Sequence, residues 1–373
     1  MKDRTKEIIK DGFGSLVNNA SAIRGAKNGP LWLTIVMFVL TIVTALVPNF
    51  ITQTTRTGSS FLNSYSYNLE QYVTSIALDL STKNNAEFII SEEHELSIKE
   101  NGAEIDFSQY GATKPYAAYI NSATQKYDFL VYLSDYTAAN DKESFIANSL
   151  EKDGYYVKVE TTNEETNTTT VTNSRASADT DNAYHPSFLV LFKNDLYLCI
   201  YSSYTNQAIT SSATTNTARI GRDFNTIEPT ETLLTDLLTV KDSEDKEVTK
   251  SLSNSLYVSG VYSNFKKLLN KSYESMKVRV VWATTGMYAA VFFGLTLIMG
   301  FVVWLLTRGK NNPNNYFSVW LCYKIQARIG LAPAILSLLI GFFYSQSVII
   351  FIALIGLRVM WMSMKELRPI PQA

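Results

Sequence analysis

Residues able to do chemistry are few in this chain, and their spacing argues against most of what they could do. His94 and His185 are the two histidines. His94 stands in Glu92-Glu93-His94-Glu95, where the carboxylates could hold a cation weakly, or where the segment is simply a solvated strand entrance. Neither histidine has a second ligand-type residue at metal spacing. No G-x-S-x-G, P-loop or H-E-x-x-H segment occurs, and Asp128 and Asp135 are single carboxylates flanking an apolar run, as is common at turns. A non-enzymatic protein with no catalytic residue, cofactor, metal or nucleic-acid partner is expected. The residue that asks for an explanation is Arg358, in Ile352–Lys365 (IALIGLRVMWMSMK), because it is the sole charge in an apolar run that ends at Met364.

That run is one of four. Leu31 to Val47, Val280 to Leu306, Ile329 to Tyr344 and Val348 to Met364 carry no other charge, and the second spans 27 residues. A helix needs about 20 apolar residues, at 1.5 Å each, to cross a bilayer. Four transmembrane helices follow, at 31–50, 278–306, 329–344 and 348–364, the last two as a tight hairpin. The first is read as an uncleaved anchor, since its apolar run is longer than that of a signal peptide and no A-x-A-like site follows. The expected fold class is an α+β membrane protein, with an α+β extracytoplasmic domain at 51–277 inserted between the first and second spans.

Charge orients this arrangement. From Ile51 to Arg279 there are 30 acids and 20 bases, whereas the rest of the chain holds 4 acids and 13 bases. The basic leader at 1–30, the loop at 307–328 and the tail at 365–373 are therefore placed in the cytoplasm, giving a multi-pass cell-membrane protein with both termini inside. Lys266, Lys267, Lys271, Lys277 and Arg279 run against that rule at the outer entrance of the second span. Cys199 and Cys322 fall on opposite sides of the membrane in this layout, so the large outer domain has no internal disulfide, which suggests a bacterial surface.

Within the outer segment, Leu69, Tyr72, Val73, Ile76 and Leu80 share one face of an amphipathic helix expected near the membrane. Asn101-Gly102, between alternating Leu96/Ile98 and Ile105/Phe107, predicts a type I′ hairpin. Phe129 to Leu133 and Phe188 to Phe192 read as strands, the second continuing through Lys193-Asn194-Asp195 into a further hairpin strand that buries Cys199. Glu160 to Ser177 is a flexible loop or a long hairpin tip. From Leu252 to Met276 a helix is expected with Leu256, Val261, Phe265, Leu268 and Leu269 on one side. In the inner loop, Phe317, Trp320, Leu321 and Ile325 form the apolar face of an interfacial helix whose Lys324 and Arg328 face phosphates, or else a dock for a partner subunit.

This layout, with the Asn101-Gly102 hairpin and the segment Tyr316 to Leu336 (YFSVWLCYKIQARIGLAPAIL) containing Pro333, resembles a bacterial membrane-protein family of unknown function that includes maltodextrose utilisation proteins. The resemblance implies a role beside a carbohydrate transporter, with a sugar ABC transporter as partner, and brings no catalytic residues with it. The outer domain here is larger than that family's. Two function classes are carried forward: an accessory or scaffolding membrane protein with an extracytoplasmic binding domain, and an oligomeric small-solute transporter or channel. Candidate contacts to lipid or partner are Arg358, Trp320, Lys324 and Arg328. Arg358 lies seven residues, about 10.5 Å, before Lys365, so it either snorkels to a lipid phosphate or meets a backbone carbonyl or another subunit.

Overall fold

The computed structural model describes residues 2–64, 68–111, 114–122, 127–146, 156–163, 168–175, 187–200, 218–225, 227–229, 232–308, 312–343 and 347–367. His185 lies outside them. Two compact units emerge, one formed by 1–56 with 278–373 and the other by 57–277. The helical unit opens with α1 (Lys2–Val17), α2 (Asn19–Asn28) and α3 (Leu31–Thr55). It closes with the end of α7 (Ser255–Leu306), then α8 (Val319–Ile329), α9 (Leu331–Gly341) and α10 (Ser347–Lys365). To the α+β unit belong α4 (Leu69–Lys83), α5 (Ala139–Ser144), α6 (Leu233–Leu238), the start of α7 and the strands.

The α+β unit is organised by a sheet buried on both faces. Its strand order is β10 (Ala218–Asp223), β9 (Asp195–Ile200), β8 (Ser187–Phe192), β5 (Tyr127–Ser134), β4 (Ala117–Ile120), with β5 and β8 parallel and the other pairs antiparallel. Alternation sends Phe129, Val131, Leu133, Leu191, Leu196 and Leu198 to one core, shared with α4, α6 and α7, and sends Leu130, Tyr132, Val190 and Phe192 to a second core closed by Phe145 and Ile146. Each such side chain contributes about 1.5–3 kcal/mol on burial. Both runs predicted as strands are present, and Cys199 is fully buried in β9. Glu160 to Ser177 takes the hairpin form where described, β6 (Tyr156–Asn163) pairing with β7 (Thr168–Arg175).

A smaller sheet holds β1 (Ala86–Ile90), β2 (Leu96–Glu100) and β3 (Ala103–Glu104). Asn101 and Gly102 both take positive φ, 50° and 82°, and Glu100 pairs with Ala103 across the two-residue turn. The second strand is shorter than the alternation suggested, because the chain enters a 3-10 turn at Phe107 after Ile105 has donated its N–H to Ile98. The apolar face of α4 is buried as read, but within the core of its own unit. On α7, Val261, Phe265 and Leu269 point inward, whereas Leu256 is 56% exposed and Tyr257 takes its place in the core, its hydroxyl on the Leu238 carbonyl at 3.1 Å.

Among the described residues, four stretches of helix are long and apolar enough to cross a membrane: Leu31–Thr55, Ser255–Leu306, Val319–Gly341 and Val348–Lys365. Their outer faces carry Trp32, Trp282 and Trp361 at 62, 65 and 63% exposure, together with many exposed Leu, Ile and Phe side chains. Apolar surface on this scale fits hydrocarbon as its solvent, compatible with a multi-pass membrane protein. Ala45, Phe292, Ala334, Phe351 and Ile355 form one internal core of this unit. The segment read as an interfacial loop helix instead continues into the third apolar helix, because Gly330 keeps helical angles of −67° and −30° and the ladder persists from Gly330 N–H to Gln326 and from Ala334 N–H to Gly330, both at 3.1 Å.

Gly102→Ala places a Cβ in a left-handed conformation and is expected to cost the α+β unit about 1–2 kcal/mol, read as a lowered urea midpoint. Asn101→Gly, which tolerates the same angles, should shift it far less.

Candidate functional site

Arg358 sits on α10 in the helical unit, and the chain itself supplies all the acceptors seen for it. Its Nη1 donates to the Ile329 carbonyl at 2.8 Å, its Nε to Asn19 Oδ1 at 3.2 Å, and its Nη2 to the Ser15 carbonyl. Each acceptor has a local origin. Ile329 is the last residue of α8, and the residue four positions on is Pro333, which has no N–H to give it. Ser15 lies in the last turn of α1, where carbonyls have no partner within the helix. Arg358 therefore meets the carbonyl that Pro333 leaves free between α8 and α9 and caps the C-terminus of α1, whose partial negative charge suits a cation.

Arg328, one position before Ile329, is 0% exposed. Its Nε donates to Thr34 Oγ1 on α3 at 3.2 Å, while Nη1 and Nη2 have no hydrogen-bond partner among the described residues, nor has the buried amide of Gln326. The guanidinium lies against the last turn of α2. A Cβ on Gly25 would fall 2.6 Å from Nη1, and one on Gly29 would meet the Gly25 carbonyl oxygen and lie 2.6 Å from Nη2, so a side chain at either position would force the guanidinium, and at Gly29 the backbone, to shift. Ala22, Gly25, Ala26 and Gly29, spaced 3, 1 and 3 apart, let the two helices approach closely. Asp11 flanks the same Gly25 and meets Arg24 at 3.4 Å, an exposed pair of small energetic value.

The other two candidate contacts lie toward the start of α8. Trp320 is 58% exposed, and Lys324 is half-buried. The structure thus brings Arg358 and Arg328 to the N-terminal hairpin of α1 and α2, while Trp320 and Lys324, two turns and one turn before Arg328 on α8, line a cleft with Thr34 of α3. Sequence reasoning missed Ser15, Asn19 and Thr34. Usable signals were the small-residue spacing in α2 and the N-cap Asn18, whose side chain accepts the Ala20 N–H at 2.9 Å and sets the turn between α1 and α2.

No protein-family model, curated protein or solved structure matches this chain. Roles therefore rest on geometry alone.

In the α+β unit the polar groups fasten elements together. Buried Asp128 accepts from Tyr72 Oη at 2.8 Å and Asn121 Nδ2 at 2.9 Å, tying α4 to the sheet. Glu100 Oε1 accepts from Tyr116 Oη at 2.8 Å and Asn84 Nδ2 at 2.7 Å. Lys142 pairs with Asp195 at 2.8 Å over the Phe192 ring. His94 stands in the β1–β2 turn at φ 59°, with Nδ1 3.2 Å from the Ile227 carbonyl, and no group of three metal-ligating side chains occurs among the described residues. A cavity of about 80 Å³ in this unit is lined by hydrocarbon such as Val73, Phe88, Leu189 and Phe265, which offers a sugar hydroxyl no partner.

Burial, and then the hydrogen bond to a carboxylate, push the Tyr72 and Tyr116 phenols well above their ordinary value of 10.0. The folded state therefore holds protons that the unfolded chain releases near pH 10, so stability is complete below that pH and falls as pH rises past it. Urea midpoints measured from pH 8 to 11 should decline, and Tyr72→Phe or Tyr116→Phe should flatten the decline. For the arginine clamp, hydrogen bonds to a charged donor are worth about 1.5–3 kcal/mol each. Arg358→Leu should leave membrane insertion intact but raise protease cleavage within residues 2–28 at least about tenfold. Adding Pro333→Ala, which supplies the missing N–H to Ile329, should restore part of the loss; strictly additive effects would refute the shared acceptor.

Proposed function

We propose that this chain is a non-enzymatic accessory membrane protein, a four-span anchor that presents an extracytoplasmic α+β binding unit to a membrane-protein partner. The observation that carries it is the use made of Arg358. A charge within an apolar helix is expensive and usually marks a transport path or a partner contact, and here it is engaged in holding the chain's own N-terminal hairpin. The charge asymmetry supports the orientation: the helical unit holds 15 bases and 4 acids, the other unit 18 bases and 30 acids. With the basic segments in the cytoplasm, both termini are inside. A place beside a carbohydrate uptake system, with a sugar ABC transporter as partner, is the form of this proposal that the family resemblance suggests.

Two measurements test it. Because both native cysteines are buried, Glu244→Cys in the exposed turn after α6 should take up a membrane-impermeant maleimide in intact cells, and absence of labelling would invert the orientation. Purification in mild detergent should recover a transporter component. A lone monomer with no transporter component would count against the accessory role, and solute flux through liposomes containing only this chain would favour an oligomeric transporter or channel instead.

A further inference from the structure

A cleft of about 260 Å³ opens in the helical unit between α3, α8 and the stretch of α7 from Phe293 to Leu297. Its two ends differ in chemistry. Near the start of α8 stand Trp320, Tyr323 and Lys324, and farther along lie Ile35, Phe38 and Phe293, the two phenyl rings in edge contact at 5.7 Å. Leu31, at the polar end, is seven residues from Phe38, about 10.5 Å of helix. The cleft is lined mostly by hydrocarbon, with one ammonium-bearing side chain, one phenol and one indole supplied by α8 at one end and the hydroxyl side chains of Thr34 and Thr296 along its walls.

Lys324 is half-buried in this wall and makes no hydrogen bond or ion pair among the described residues. No acid is among the residues that line the cleft, and the unit carries 15 bases against 4 acids, a balance of +11. The nearby Arg328 guanidinium, bonded to Thr34 in the same wall, adds to the positive field. An ammonium on an apolar wall is stabilised by an anion at the headgroup level, and each such lysine is worth about a fivefold gain in affinity for anionic lipid. A soluble phosphate would satisfy Lys324 but leave the Phe38 end unfilled. An exposed Trp320 beside Lys324 matches the interfacial position that tryptophans prefer.

We infer that this cleft binds one anionic phospholipid, with the phosphate on Lys324 and an acyl chain laid along α3 toward Phe38 and Phe293. This rests on the membrane reading above but not on the identity of any partner.

The test uses the full chain in nanodiscs of phosphatidylcholine with increasing phosphatidylglycerol, with retained lipid counted by native mass spectrometry after gentle detergent release. Wild type should keep about one phosphatidylglycerol in preference to phosphatidylcholine. Lys324→Gln should lower that preference about fivefold, and Leu297→Trp, which fills the cleft from α7 without touching Lys324, should lower retention of any lipid. Equal selectivity in wild type and Lys324→Gln would overturn the site, as would displacement of the lipid by millimolar inorganic phosphate. Recovery of the chain in the soluble fraction of cells would instead sink the membrane reading itself, so the two failures are distinguishable.

Discussion

A single carbonyl organises the helical unit. Pro333 cannot donate to Ile329, so α8 and α9 can continue as nearly one helix only if something else meets that oxygen. Arg358 meets it, and in doing so is held at a depth where its remaining donors reach α1 and α2. Proline and arginine, each costly alone in an apolar helix, relieve each other. The consequence is structural reach: Ser15 and Asn19, on either side of the turn between α1 and α2, are fastened to α10, and the N-terminal pair becomes part of the bundle.

The second arginine follows a related logic with a different acceptor. Arg328 presses on the end of α2, and the room it needs is the missing side chains of Gly25 and Gly29. In a setting without water, association between helices comes from close packing and from polar groups finding partners. The α2 stripe of alanine and glycine supplies the first, and the hydroxyl of Thr34 supplies part of the second. By contrast the α+β unit is built by ordinary burial: β5 is inside on both faces, and its buried Asp128 is met by the Tyr72 hydroxyl.

Much of this architecture was legible beforehand. The Asn101-Gly102 turn was, because positive φ at two successive positions is a local demand that few residue pairs meet. Apolar helices were, since length and lack of charge are summed along the chain. Boundaries were less so: α8 joins α9 because Gly330 continues the ladder, and nothing in the run Tyr316 to Arg328 announces whether the next residue breaks or extends it. Leu256 and Tyr257 exchange places for the same reason, since several rotations of a helix fit one apolar pattern until the sheet it packs on is known.

The sequence by itself determined the elements and their chemistry: four apolar stretches, an acidic middle with strands and turns, a lone arginine with no carboxylate in the apolar runs to pair with. It also restricted that arginine to lipid, a backbone carbonyl or another subunit. Only the tertiary structure decided among acceptors, because Ser15 and Asn19 are 343 and 339 positions away from Arg358, and hydrogen bonding is set by distance in space. Local propensity leaves no trace of a contact closed over such a separation, whereas the proline that created the need for it was in plain view.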